Sequence, residues 1–308
     1  MHLILPFAAS HQWPKSLPTA QDLPHLTRLL DGMQRQQVLT DEEGERPHPL
    51  LPHERAAAQA LGWPQDGPWP QAAHDSAQPG PQAWLTPCHW QIGMDNVVML
   101  PPELLQLGDE ESRQLLQAMQ PWLTEDGLQV QWHSALRWHA SSPLLADVRT
   151  ASLARVSGAN IRPWLTDGSL PAPLRRLQSE MQMLLYNHPV NDARMARGQL
   201  TVNSFWLHGA GCPAKTAPSA PAQRNDALQQ AAAEGPDAWL LAWRELDAQV
   251  LAPLAHTDTP LQLSLCSETS VHTWQRRPLA WPQRLTRWLR TARSDSALRA
   301  LLTPSENT

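Results

Sequence analysis

Apolar positions along the chain fall into short runs and helical stripes in alternation. Leu3 to Ala8 is an apolar run of a length that suits a buried parallel strand. Leu23 to Leu30 opens a helix, and Glu54 to Leu61 a second one that Gly62 and Pro64 stop. Between them residues 40–53 are polar and proline-broken. Residues 64–82 are rich in proline and glycine, and both stretches are expected to be irregular.

The texture then changes. Trp84 to Leu100 holds two strand-like pieces around Gly93, Glu103 to Leu123 has helical spacing, and Leu128 to Trp138 alternates as a strand does. Leu174, Leu177, Met181, Leu184 and Leu185 recur at helical spacing and lead into the strand Asn203–Leu207. Trp239 to Trp243 fits either a strand end or a helix start. Leu246, Val250, Leu251 and Leu254 mark a helix, and Leu261 to Cys266 a last buried strand. Such repeating units predict an α/β fold, a mostly parallel sheet with helices on both faces carrying a small α+β insertion. The expected division is 1–84 and 173–308 for the α/β core, with 85–172 inserted.

Composition narrows the function classes. The chain has 308 residues, 42% hydrophobic and 17% charged, as folding chains do. A net charge of −5 speaks against a general nucleic-acid binder. No apolar run approaches the ~18 residues of a membrane span, and Cys88, Cys212 and Cys266 lack paired spacing. A cytoplasmic protein without membrane contact is the expectation. Charge is uneven, however. Residues 276–308 carry seven Arg against Asp295 and Glu306, with Arg284, Arg287, Arg290 and Arg293 at every third position. That stripe is either the solvated face of a terminal helix or a contact for a protein partner, and it is the one route to nucleic acid.

Candidate chemistry is sparse. The 13 histidines show no HExxH and no helical pair joined to carboxylates. Gly209-Ala210-Gly211-Cys212 follows a strand, but Pro213 stands where a phosphate-binding turn needs a helix N-terminus. His188, Asn191 and Arg194 sit between a helix and a strand, where either ligand-handling or structural turns occur. Asn191 could cap a helix, and Arg194 could pair with Asp192 or Glu180.

His188-Pro189-Val190-Asn191, Arg194, Gly198, Asn203 and Gly209-Ala210-Gly211 together resemble the signature of short-type cofactor-independent phosphoglycerate mutases, of the alkaline phosphatase superfamily. Weaker likenesses run colinearly at Leu23–Leu30, Ala60–Trp63, residues 103–138 and Arg244–Leu254. A nearer likeness, through Cys88–Gln91 and Asn203–Trp206, is to bacterial regulatory proteins of the RpfE type. The resemblance implies two divalent metals and a serine nucleophile. The matching positions hold Pro6-Phe7-Ala8-Ala9 for an Asp-Gly motif, Pro52-His53-Glu54 for the serine and Ser267-Glu268 for Asp-His. A further metal loop has no counterpart between Trp243 and Arg244. Residues 212–236 look too short for the core strand that the family places there.

The resemblance therefore implies a regulatory or adaptor protein with no catalytic residues, metal ligands or cofactor. A small anionic ligand could sit near His188, Asn191, Arg194, Asn203, Gly209 and Gly211, and a macromolecular partner at the arginine stripe. The rival reading is an enzyme of the same type with chemistry rebuilt on His53, Glu54 or Cys212.

Overall fold

The computed structural model describes residues 1–41, 47–165, 170–213, 222–276 and 294–302. Its strands are β1 (His2–Leu5), β2 (Met33–Thr40), β3 (Gln82–Cys88), β4 (Trp90–Ile92), β5 (Val97–Met99), β6 (Gln129–Ser134), β7 (Arg137–Ser141), β8 (Ser204–Gly211), β9 (Ala222–Arg224), β10 (Gln262–Cys266) and β11 (Ser270–Arg276). Its helices are α1 (Pro24–Asp31), α2 (Pro52–Ala60), α3 (Gln71–Ser76), α4 (Asp109–Glu125), α5 (Leu153–Val156), α6 (Arg162–Leu165), α7 (Ala172–Tyr186), α8 (Pro189–Ala196), α9 (Ala227–Ala232), α10 (Pro236–Leu246), α11 (Ala252–Ala255) and α12 (Ser294–Ala300). No helix among the described residues is long and apolar enough to cross a membrane.

Two compact units form, one from Met1–Glu43, Leu51–Gly62 and Pro218–Thr308, the other from Gly44–Leu50 and Trp63–Ala217. The first is α/β. Its sheet has the order β2-β11-β10-β1-β9, with β1 parallel to both β10 and β9 and the β10–β11–β2 edge antiparallel. Side chains alternate across a strand, so Leu3 and Leu5 enter one core with Leu26, Leu30, Trp239, Trp243, Leu263 and Leu298. Ile4 points the other way, to Ala56 of α2, Cys266 and Val271. Helices thus cover both faces. Each fully buried leucine of that core contributes about 1.5–3 kcal/mol. The amide ends of α1 are closed by Asp247, whose carboxylate accepts from His25 N (3.1 Å) and Leu26 N (2.7 Å).

The second unit is built on an antiparallel sheet, β6-β7-β3-β8. Leu115, Leu116, Met119 and Leu123 of α4 and Leu174, Leu177, Met181 and Leu185 of α7 pack into one core with Leu85, Trp138 and Phe205 of the sheet. The β4–β5 hairpin closes a smaller core of Cys88, Trp90, Met99, Ile161, Trp164 and Trp206.

Several elements differ from expectation. Residues 173–211 belong to this second unit and not to the α/β core, because β8 pairs along β3 and α7 fills the same core as α4. Residues 64–82 contain α3. The helix expected from Glu103 is a 3-10 turn, Pro102–Leu105, followed by α4 from Asp109. Residues 128–138 form the first half of a hairpin. Trp239 to Trp243 is helical, within α10. Leu246 to Leu254 is broken by a π-type turn, Asp247–Leu251. Residues 212–236 do hold a core strand, the three-residue β9. Cys266 does not end the last strand, since β11 follows.

Candidate functional site

In an open α/β sheet, ligands bind outside the carboxyl ends of the strands where the strand order reverses. In the first unit the parallel strands are β10, β1 and β9, with β1 in the middle. Phe7 follows it in the left-handed region, at φ 54°, a conformation that costs a non-glycine residue free energy. The neighbouring carbonyls are closed by tryptophans. Trp239 Nε1 donates to Phe7 O (2.8 Å) and Trp243 Nε1 to Ala8 O (3.2 Å). Next to them Ser10 Oγ donates to Glu268 (2.5 Å), and His11 meets the same carboxylate through its amide (3.2 Å) and its Nδ1 (3.0 Å). A crevice of about 300 Å³ opens here between Phe7, Ser10, Trp13, Gln229 and Ala233.

This donor set does not fit a pair of divalent metals. Mg- or Mn-type ions need several oxygen or imidazole ligands converging together. Among the described residues, the groups around Phe7–His11 are indoles, alanine methyls and the Glu268 carboxylate, already held by a hydroxyl, an amide and a ring nitrogen. Among the described residues no group of three or more His, Cys, Asp or Glu side chains could hold a metal ion. Glu54 is also engaged, accepting from Leu51 N (2.8 Å) at the start of α2, while His53 is buried on the same helix. Cys212 is exposed and belongs to the second unit.

The motif residues lie in the second unit, where His188, Asn191, Arg194 and Asn203 each hold their own set of partners. His188 caps α8, its Nδ1 accepting from Val190 N (3.2 Å), and burial lowers its pKa. The capping role foreseen for Asn191 is therefore filled by His188. Asn191 instead donates to Leu185 O and Val202 O (both 2.7 Å) and accepts from Val202 N (2.9 Å), tying α7 to the approach of β8. Asn203 does the same for the hairpin, bonding both Trp90 N (2.7 Å) and Trp90 O (2.9 Å). Arg194 is fully buried and pairs with Glu111 of α4, not with Asp192 or Glu180. Its other donors go to Leu200 O and Leu105 O. Every nitrogen of that guanidinium is thus spent on the protein, and Arg194 works as a cross-link between three segments.

Gly209 and Gly211 are part of β8, at φ 62° and 138°. A Cβ on Gly209 would stand 3.0 Å from Gln71 Cβ, and one on Gly211 would stand 3.1 Å from Pro70 Cβ. The glycines let α3 and the proline segment before it lie directly on the strand. Close packing explains them, and no phosphate turn is formed. Arg284, Arg287, Arg290 and Arg293 lie outside the described residues.

A further cluster escaped the sequence reading, which treated His133 and His139 as isolated. Residues Gln131, His133, Arg137 and His139 of the β6–β7 hairpin share a sheet face with Trp84, which stands opposite His139. They line a pocket of about 310 Å³ with Asp75 and Gln78. Arg137 lies over the Trp84 ring at 3.8 Å and pairs with Asp75. Alternation in 129–141 was the signal available, since it puts these four side chains on one face.

No protein-family model and no curated protein matches the chain. Among solved structures it is similar to the cofactor-independent phosphoglycerate mutase from Thermoplasma acidophilum, at 13% identity and a TM-score of 0.36, with 89% of each chain covered. It is also similar to a protein from Pyrococcus horikoshii, at 11% identity and a TM-score of 0.46, with 89% of this chain and 86% of that one covered.

Proposed function

We propose that the protein is a non-catalytic binding protein, a regulatory or adaptor protein on a scaffold of the phosphoglycerate mutase kind. The observation that carries this reading is the carboxyl end of β1. There the chain sets Phe7, Ala8 and Ala9 under two indole caps, and leaves Glu268 as the carboxylate, bound by Ser10 and His11. Phosphoryl transfer needs charge stabilisation and an activated nucleophile at one point. Around Phe7–His11 the described groups are instead apolar or already hydrogen-bonded to one another. The likeness to mutases rests on the motif residues His188 to Gly211, whose polar members act as braces. The adaptor part rests on the arginine stripe of residues 284–293.

Purified protein mixed with Mn or Mg salts and phosphorylated three-carbon acids tests the reading. Calorimetry is expected to show no tight metal site, and a coupled assay no mutase turnover. Tight metal binding together with turnover sinks it. The adaptor part fails separately if alanine at Arg287 and Arg290 leaves partner binding and its salt dependence unchanged.

A further inference from the structure

We propose that the pocket between α3 and the β6–β7 hairpin binds a small planar monocarboxylate, with its carboxylate on Arg137 and its ring beside His133. The inference stands on the second unit alone and holds whatever the carboxyl end of β1 does.

The guanidinium carbon of Arg137 lies 3.8 Å from the Trp84 ring centroid, and one Nη is tied to Asp75. Its Nε and other Nη make no hydrogen bond among the described residues, and the side chain is 39% exposed. A guanidinium held at one corner presents its remaining donors in a fixed direction, and a carboxylate matches that fork better than any other common group. Asp75 in turn cannot swing away. It accepts from Gln71 Nε2 (2.5 Å) through one oxygen and from Trp84 Nε1 (3.3 Å) through the other, which also takes Arg137.

The rest of the lining is equally fixed. Trp132 points to the opposite face, where Arg113 over its ring at 3.7 Å and the bond from its Nε1 to Ser112 Oγ (3.1 Å) anchor β6. His139 Nε2 bonds the Gln82 carbonyl (2.6 Å), and burial lowers its pKa, so this ring stays neutral. Gln78 and Gln131 supply amides at the rim. The flat His133 and His139 rings beside the unspent donors of Arg137 favour a ring bearing a single carboxylate. The charge of Asp75 decides against a dianion. Two negative charges brought beside it would be repelled more than one guanidinium could offset. A cavity of about 310 Å³ also limits the ligand to a small one.

Benzoate is the probe, titrated into the full-length protein by calorimetry and by tryptophan fluorescence, with acetate and inorganic phosphate beside it. Saturable benzoate binding is expected, with acetate weaker and phosphate weakest. Arg137→Gln should lower benzoate affinity at least about tenfold. Because Arg137 also covers Trp84, a second variant guards against misfolding. Gln131 is exposed on β6, and Gln131→Glu adds a carboxylate at the rim without touching the core. It should keep the wild-type circular dichroism and lose about tenfold in affinity by like-charge repulsion. Absence of saturable benzoate binding to wild type, or wild-type affinity in both variants, overturns the proposal. Acetate binding as tightly as benzoate overturns the ring assignment, and phosphate binding more tightly overturns the charge argument.

Discussion

Acid should unfold the first unit through two histidines buried in its sheet. His2 on β1 and His272 on β11 are each 4% exposed, and burial holds both rings down to a pKa of about 4. His2 Nε2 lies 2.9 Å from Ser264 Oγ, which lies 2.8 Å from Thr273 Oγ1, so a polar chain crosses three strands. That environment tolerates a neutral ring and penalises an imidazolium. In the unfolded chain both rings titrate near 6.5. Between pH 6.5 and 4 the unfolded state therefore binds more protons, and stability falls as pH falls through that window. Above 6.5 the contribution is fully present.

The size follows from the shift. One pKa unit is worth about 1.4 kcal/mol, so at pH 5, about 1.5 units below the unfolded value, each histidine costs about 2 kcal/mol and the pair about 4. Urea denaturation at neutral pH and at about pH 5 measures this. The double variant His2→Gln, His272→Leu keeps a donor for Ser264 and an apolar side chain on β11. Its stability should drop about 4 kcal/mol less than that of wild type between the two conditions. Equal drops in the two proteins would refute the reasoning, since other titrating groups are common to both.

Two further outcomes test the structural roles of motif residues. Arg194→Ala strands the Leu105 and Leu200 carbonyls and leaves Glu111 without its buried partner, and should cost about 3–5 kcal/mol in denaturant melts. Arg194→Lys should recover only part of that, and an unchanged melt would return Arg194 to a ligand role. Gly209→Ala should cost about 2–3 kcal/mol, because its positive φ and the Gln71 contact add. Gly198→Ala, at φ 68° with open space around it, should cost only about 1 kcal/mol. Equal costs at the two glycines would show that α3 does not press on β8.

Much of the fold was legible where the signal is local. β1 was readable from its continuous apolar run, α2 from the Gly62 and Pro64 that stop it, and α7 from apolar residues at helical spacing, each a local signal. β11 was not, since Ser270, His272 and Thr273 look solvent-facing in sequence and are all buried. The cost of burying Thr273 and Ser270 is met by partners on other segments, Ser264 beside Thr273 and the Leu301 carbonyl beside Ser270. The polar run of β2 hid a strand for the same reason, as its pairing with β11 is made by backbone groups that every residue carries.

The site was less legible than the fold, and Arg194 shows why. A buried arginine and a ligand-binding arginine read alike in sequence, and what separates them here is Glu111, 83 residues away. Gly209 is ambiguous in the same manner. Glycine answers equally to an anion that needs bare amides and to a helix that needs room, and α3 lies in a stretch too rich in proline and glycine to announce a helix. The pocket around Arg137 inverts the case. Asp75, Trp84 and Arg137 carry no motif, yet sheet register and one helix bring them together with a guanidinium fork still open. A polar residue's role is set by what its remaining donors face. By that measure Asn191 and Arg194 are already satisfied, and the unmarked Arg137 has donors left to use.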